Sequence, residues 1–471
     1  MATLVSKQMA TLIVKVLHAR AERTCRHAEQ SACQKINEST VTGSATWPAT
    51  CLAHFIAHAN VNGIFLMKYQ TYQAHSDMMA NMRVLTQAAV KTMSNPWLIK
   101  QPGVRKLTAA YQVFASTAVT HTRPDFGIDT VVVGASDKPA LVHEVIAHVA
   151  PFGKLLHLKK EGVSGQPRVL IVAPMSGHFA TLLRETARSM LADHDVYITD
   201  WHNARDVPLA AGRFGMDEYV EYLIAFLEVM GPGAHMVAIC QPCVAALVAT
   251  AIMAEDGNPA QPRSLTLMAG PIDTRINPTK VNELATSKPI QWFEQNLIST
   301  VPQRHPGAGR RVYPGFLQLS AFMGMNLERH VNSFKGLYQQ LLDGDIEKAN
   351  TTRAFYEEYF AVLDLSAEFY LETIRDVFQE YALPLGAMKW RDRLVNLAAI
   401  RHTALLTIEG EHDDICAIGQ TVAAQELCSA IPAYMKQHYM QTGVGHYGVF
   451  SGRRWNSEVY PVVREMIQVS G

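Results

Sequence analysis

The sequence has no excess of either charge, few cysteines for its length and no long unbroken apolar run. Its 42 basic residues balance 42 acidic ones, so no overall field draws the protein to nucleic acid or to an anionic membrane. Seven cysteines spread over 471 residues form no regular disulfide framework, which favours a reducing compartment. The longest uncharged run, Val41 to Met67, is broken by Pro48, Asn60, Asn62, Gly63 and histidines, so no transmembrane segment is expected. Lys15 interrupts the only apolar stretch near the basic N-terminus that could serve as a signal peptide. No glycine-rich phosphate loop falls between a strand and a helix, so no nucleotide cofactor is expected. No second C-x-x-C run or spaced histidine pair completes a tetrahedral set, so no metal is expected either.

What is present divides the chain unevenly. Length alone suggests about three domains, though one large α/β domain with an insertion fits equally well. Residues 1–66 are rich in Thr, Ala, His and Ser and hold Cys25, Cys33 and Cys51; they read as a poorly ordered N-terminal extension, with Met67 a candidate effective start. Residues 67–125 read as a helical N-terminal region broken at Pro96, Pro102 and Gly103, and Asp129–Val133 as a strand. Residues 126–275 and 400–471 form the expected core. Within it RVLIVAPM (168–175), DVYITDW (195–201), HMVAI (235–239), SLTLMAG (264–270), TALLTIEG (403–410) and KQHYMQ (436–441) read as strands. Helices between the early ones argue for βαβ units and a mostly parallel sheet. Residues 276–399 break the rhythm and read as a mainly helical cap, with one long helix over about 353–381. In that cap FLQLSAFMGM (316–325) suits a soft surface for an apolar, flexible ligand.

Three residues with chemistry to offer each follow a strand: Cys240 after HMVAI, Asp413 after TALLTIEG and His446 after KQHYMQ. A strand that ends in a nucleophile and turns straight into a helix is the nucleophile elbow, and the order nucleophile, acid, histidine is that of α/β-hydrolases. A thiol attacks best as thiolate, so His446 is the candidate base and Asp413 the group that orients it, with neighbouring Asp414 the alternative acid. The backbone N–H groups of Gln241 and of the loop Met175–Ser176–Gly177–His178, with Ser176 the chosen residue, are the candidate oxyanion donors. His178 and Asp200 also close strands and read as structural. A sharper rival is Cys240–Gln241–Pro242–Cys243 as a thioredoxin-like redox pair, which leaves Asp413 and His446 without a role.

At these residues the chain resembles the intracellular polyhydroxybutyrate (polyhydroxyalkanoate) depolymerases. The resemblance runs from about Met67 to the C-terminus and rests on APMSGHFATLLRET (173–186), VYITDWHNARDVP (196–208), VAICQP (237–242), MAGPIDTR (268–275), GRRVYPGFLQ (309–318), EGEHDDI (409–415) and VGHYGVFSGRRW (444–455). It implies an α/β-hydrolase core, a Cys–Asp–His triad at Cys240, Asp413 and His446, and hydrolysis of short-chain storage polyester through an acyl-thioester. The implied partner is the surface of amorphous cytoplasmic granules. A polyester synthase and a non-catalytic granule-binding protein are the alternatives. Against the synthase, Ala238 and Pro242 stand where its elbow is glycine-rich.

Overall fold

Short, mostly apolar runs build the middle of one sheet. The computed structural model describes residues 69–134 and 138–471; the expected extension 1–66, its three cysteines and Met67 lie outside the described residues. The strands are β1 (Thr130–Val132), β2 (Pro139–Ala150), β3 (Gly153–Lys160), β4 (Arg168–Val172), β5 (Asp195–Trp201), β6 (His235–Ile239), β7 (Ser264–Met268), β8 (Ala404–Gly410) and β9 (Lys436–Gln441). They form a nine-stranded sheet in the order β1-β2-β3-β5-β4-β6-β7-β8-β9. From β5 to β9 every neighbouring pair is parallel, and β1, β2 and β3 add an antiparallel edge. Every residue of β6, β7 and β8 is buried, as strands covered on both faces require. This is an open, mostly parallel α/β sheet, the arrangement expected of an α/β-hydrolase core.

The antiparallel hairpin of β2 and β3 goes beyond the sequence reading. Most of β2 is exposed, and its register shifts between Ile146 and His148, so the strand carries no steady two-residue alternation.

Before and between the strands lie α1 (Tyr69–Met93), α2 (Pro102–Ala115), α3 (Arg184–Leu191), α4 (Met216–Met230) and α5 (Cys243–Glu255). Pro102 opens α2 in the first turn, where a missing N–H costs no bond. Asp217 and Glu218 favour the N-terminus of α4 electrostatically. Every residue from Cys243 to Met253 in α5 is buried, at about 1.5–3 kcal/mol for each large aliphatic side chain, which pins the helix against the sheet.

Between β7 and β8 the chain forms α6 (Lys280–Thr286), α7 (Ile290–Leu297), α8 (Gly315–Met325), α9 (Leu327–Asp343), α10 (Ile346–Tyr359) and α11 (Ala367–Glu372); α12 (Tyr460–Val469) ends the molecule. The long helix expected over 353–381 is broken. After α10 the backbone runs extended, because Val362 N–H donates to Thr120, Leu363 N–H donates to Gly177, and Leu365 and Ser366 pair with Tyr313 and Val312. Buried Asp364 fastens this stretch, accepting from Tyr69 Oη at 2.6 Å and from Gly315 N at 2.8 Å. In α8, Phe316, Leu317, Leu319 and Met323 are buried, so this segment is largely core rather than open ligand surface.

Candidate active site

The registers Ile239↔Met268 and Ile408↔Met268 set the carboxyl ends of β6, β7 and β8 level, the edge where sites form in open α/β sheets. Cys240 is the first residue past β6 and takes φ 67°, a left-handed conformation that costs a residue with a side chain about 1–2 kcal/mol. Its surroundings impose that conformation. Cys240 N–H donates to Met268 O at 2.7 Å, and Cys240 O accepts from Cys243 N at 3.1 Å. Pro242 comes next but one, at the N-cap of α5 with φ −69°. Room for so sharp a turn comes from across the sheet: a Cβ on Gly270 would lie 2.2 Å from Cys243 Cβ and 3.2 Å from Cys240 O. A lipase elbow obtains that room from glycines beside the nucleophile; here buried Ala238 and Gly270 provide it.

His446 stands at the start of a short 3-10 turn after β9 and is buried. Its Nδ1 donates to Asp413 Oδ2 at 2.8 Å, the tautomer set by the carboxylate being acceptor only. The other Asp413 oxygen accepts from Ile415 N at 2.9 Å and Cys416 N at 2.8 Å, so the carboxylate is locked. Burial works against a charged imidazole. The charges of Asp413 and Cys240, with hydrogen bonds to both, outweigh it and hold His446 well above its usual range. The bond between His446 and Asp413 is direct, and Cys240 acts on the same imidazole electrostatically. Asp414 is exposed and accepts instead from Asn326 Nδ2 of the insertion at 3.3 Å.

The two candidate donors of the oxyanion site meet through side chain and loop. Gln241 Oε1 accepts from Met175 N at 3.3 Å, which brings the loop after β4 against the elbow. The N–H groups of Gln241 and Ser176 donate to no described residue.

The rival residues lie elsewhere. Cys243 is fully buried, gives its thiol to Ala238 O at 3.3 Å, and is pushed well above the usual thiol range by burial. His178 donates to Tyr359 O at 3.1 Å and is lowered to about 4 by burial. Asp200 is paired with Arg123 at 2.8 Å and Lys154 at 3.2 Å.

Two supporting groups escaped the sequence reading. Buried Glu409, near the end of β8, accepts from Gly419 N at 3.1 Å, Thr421 N at 2.7 Å and Val422 N at 2.9 Å, shaping the loop that carries Asp413. Its signal was a carboxylate in an otherwise apolar strand, since a buried charge must find partners. The other is the Gln241 side chain, whose contact with Met175 no local pattern encodes.

Where α8 meets α9, Met325, Asn326, Leu327, Arg329 and Asn332 line an open cavity of about 720 Å³, and Asn326 links this rim to the acid loop. Among the described residues no helix is long and apolar enough to cross a membrane, and no three His, Cys, Asp or Glu side chains are placed to hold a metal ion.

Residues 269–470 match the family model described as PHB de-polymerase C-terminus. No curated protein matches the chain. Among solved structures, a meta-cleavage product hydrolase from Pseudomonas fluorescens is similar at 15% identity and TM-score 0.38, over 70% of this chain and 99% of that one. A 2-hydroxy-6-oxo-6-phenylhexa-2,4-dienoate hydrolase from Rhodococcus is similar at 12% identity and TM-score 0.37, over 69% and 99%. A Pyrobaculum calidifontis esterase is similar at 13% identity and TM-score 0.37, over 70% and 84%.

Proposed function

We propose, from the match of residues 269–470 to the PHB de-polymerase C-terminus family model, a thiol-dependent ester hydrolase acting on a short-chain poly(3-hydroxyalkanoate). The observation that carries this reading is Cys240, held at φ 67° on the elbow and linked to His446, which is itself bonded to Asp413 at 2.8 Å.

The Cys240 thiolate attacks the ester carbonyl carbon, forming a C–S bond. The tetrahedral oxyanion is met by the N–H groups of Gln241 and Ser176. Its collapse breaks the ester C–O bond, and His446 gives its proton to the departing alkoxide, so the shortened polymer leaves as an alcohol. Water then gives a proton to His446 and attacks the thioester. The C–S bond breaks, the hydroxy acid leaves, and the thiolate returns. Asp413 holds the imidazole in the tautomer that both steps need. The partner is the surface of an amorphous polyester granule in the cytoplasm, and the open cavity beside Asn326 supports a long substrate lying across the rim.

The test is product release from amorphous polymer, followed by mass spectrometry. Wild-type protein should yield soluble hydroxy acids and Cys240→Ala none. Soluble product from the Cys240→Ala protein at the wild-type rate, or polymer lengthened from hydroxyacyl-CoA by the wild type, would overturn the proposal.

A further inference from the structure

We propose that the side chain of Gln241, as well as its backbone, serves the reaction by positioning the loop that carries the second oxyanion donor. The inference rests on the reading of Cys240 as an ester-cleaving nucleophile and assigns a role to the residue after it.

The loop after β4 must present Ser176 N–H at a fixed point, because an oxyanion donor helps only when it needs no reorganisation during the reaction. Its cap side is tied down. Leu363 N–H donates to Gly177 O at 3.0 Å, and the next residue's ring, His178, bonds to Tyr359 O at 3.1 Å. Gly177 itself has φ 94°, and a Cβ there would sit 2.7 Å from Gln318 Cγ on α8, so this corner fits glycine alone. These ties all lead into the insertion.

On the nucleophile's side stands the bond from Met175 N to Gln241 Oε1 at 3.3 Å. A backbone N–H can only donate, so the amide must turn its oxygen toward Met175. Ser176 is thereby flanked by two anchored residues, Met175 on the elbow and Gly177 on the insertion, while its own N–H donates to no described residue. One residue thus sets both donors: Gln241 supplies its own N–H and, through its side chain, the placement of the other.

Gln241→Met keeps the length of the side chain and removes the acceptor. Its effect is read two ways, as kcat and KM on soluble hydroxybutyrate oligomers and as the rate of Cys240 alkylation by iodoacetamide. Alkylation displaces iodide and develops no oxyanion, so it reports thiol and imidazole without the donor loop. The expected result is a kcat lower by about 10- to 100-fold with KM and alkylation each within about threefold and an unchanged thermal midpoint. Unchanged or raised kcat overturns the proposal, and so does an equal fall in kcat and alkylation, which would place the effect on the Cys240–His446 pair. Gly177→Ala, which displaces the same loop from its other side, should give the same split between kcat and alkylation. Wild-type protein that still hydrolyses oligomers after complete Cys240 alkylation would instead sink the nucleophile reading, whatever Gln241→Met does.

Discussion

Cys240 and Cys243 lie one helical turn apart on the same elbow, and their surroundings treat them in opposite ways. Cys240 is half-buried, carries the backbone strain of a positive φ and helps to raise the pKa of His446. Cys243 is sealed in the first turn of α5, bonded to Ala238 O, with burial raising its pKa well above the usual thiol range. Reactivity depends on thiolate character and access; under the proposed function Cys240 is the sulfur that attacks, while Cys243 packs. In a C-x-P-C redox pair the second thiol must turn to the first; here the Cys243 thiol is given to Ala238 O. Proximity in sequence says little here; which side of the turn a sulfur occupies says nearly everything.

Removing the exposed sulfur should give the largest effect. Cys240→Ala should lower kcat by about 10³-fold or more in an oligomer hydrolysis assay, with a circular dichroism spectrum like the wild type. Next comes the group that distinguishes Cys240 from Cys243 at one remove. Asp413→Asn should cost about 10²- to 10⁴-fold in kcat, because the imidazole loses the partner that sets its tautomer and its charge. Asp414→Asn, which leaves the bond to His446 intact, should stay within about twofold. Equal losses in the two variants would mean that the acid has been assigned to the wrong residue.

Histidines sharpen the same contrast through pH. Burial lowers His178 and His194 to about 4, whereas His446, equally enclosed, is raised by Asp413 and Cys240 against the effect of its burial. A lowered histidine contributes stability that is whole above the unfolded value near 6.5 and is lost as pH falls toward 4. The contribution of His446 has the opposite sense: it is whole below about 6.5 and is lost as pH rises through its raised value. Urea denaturation should therefore show a lower midpoint at pH 5 than at pH 7.5, by on the order of 1 kcal/mol for each of His178 and His194. Asp413→Asn, which takes away the charge that lifts His446, should destabilise more at pH 6 than at pH 9. The reverse order would contradict the ion pair.

Much of this site was legible because its parts sit on strands with strong patterns. HMVAI, TALLTIEG and KQHYMQ announce themselves as apolar or strand-like runs, and the loops that leave them are therefore placed on one edge of the sheet. The choice between Asp413 and Asp414 was not legible, because a tight turn reverses the direction of successive side chains and sequence does not show the turn. Nor was the extended stretch after α10, whose partners at Thr120, Gly177 and Tyr313 are distant in the chain. The hairpin of β2 and β3 was hidden by its exposure and its register shift. Periodicity reports a segment's own environment, and these features depend on residues far from it in the chain.

Of the two cysteines, the smaller expected effect on hydrolysis belongs to Cys243→Ser. The hydroxyl is smaller than the thiol and more polar, and it enters a site sealed from solvent with a close neighbour in Gly270. It retains an acceptor in Ala238 O, which lies 3.3 Å from the sulfur. Replacing a well-packed thiol by a hydroxyl that keeps one hydrogen bond should cost about 1–2 kcal/mol of stability, visible as a lower thermal midpoint. Hydrolysis should stay within about threefold of wild type, because the bond by which Cys243 holds the elbow runs from its backbone N–H to the Cys240 carbonyl and does not involve the side chain. A complete loss of hydrolysis with the fold intact would mean that the buried sulfur takes part in turnover, and the difference between the two cysteines would then be one of exposure alone.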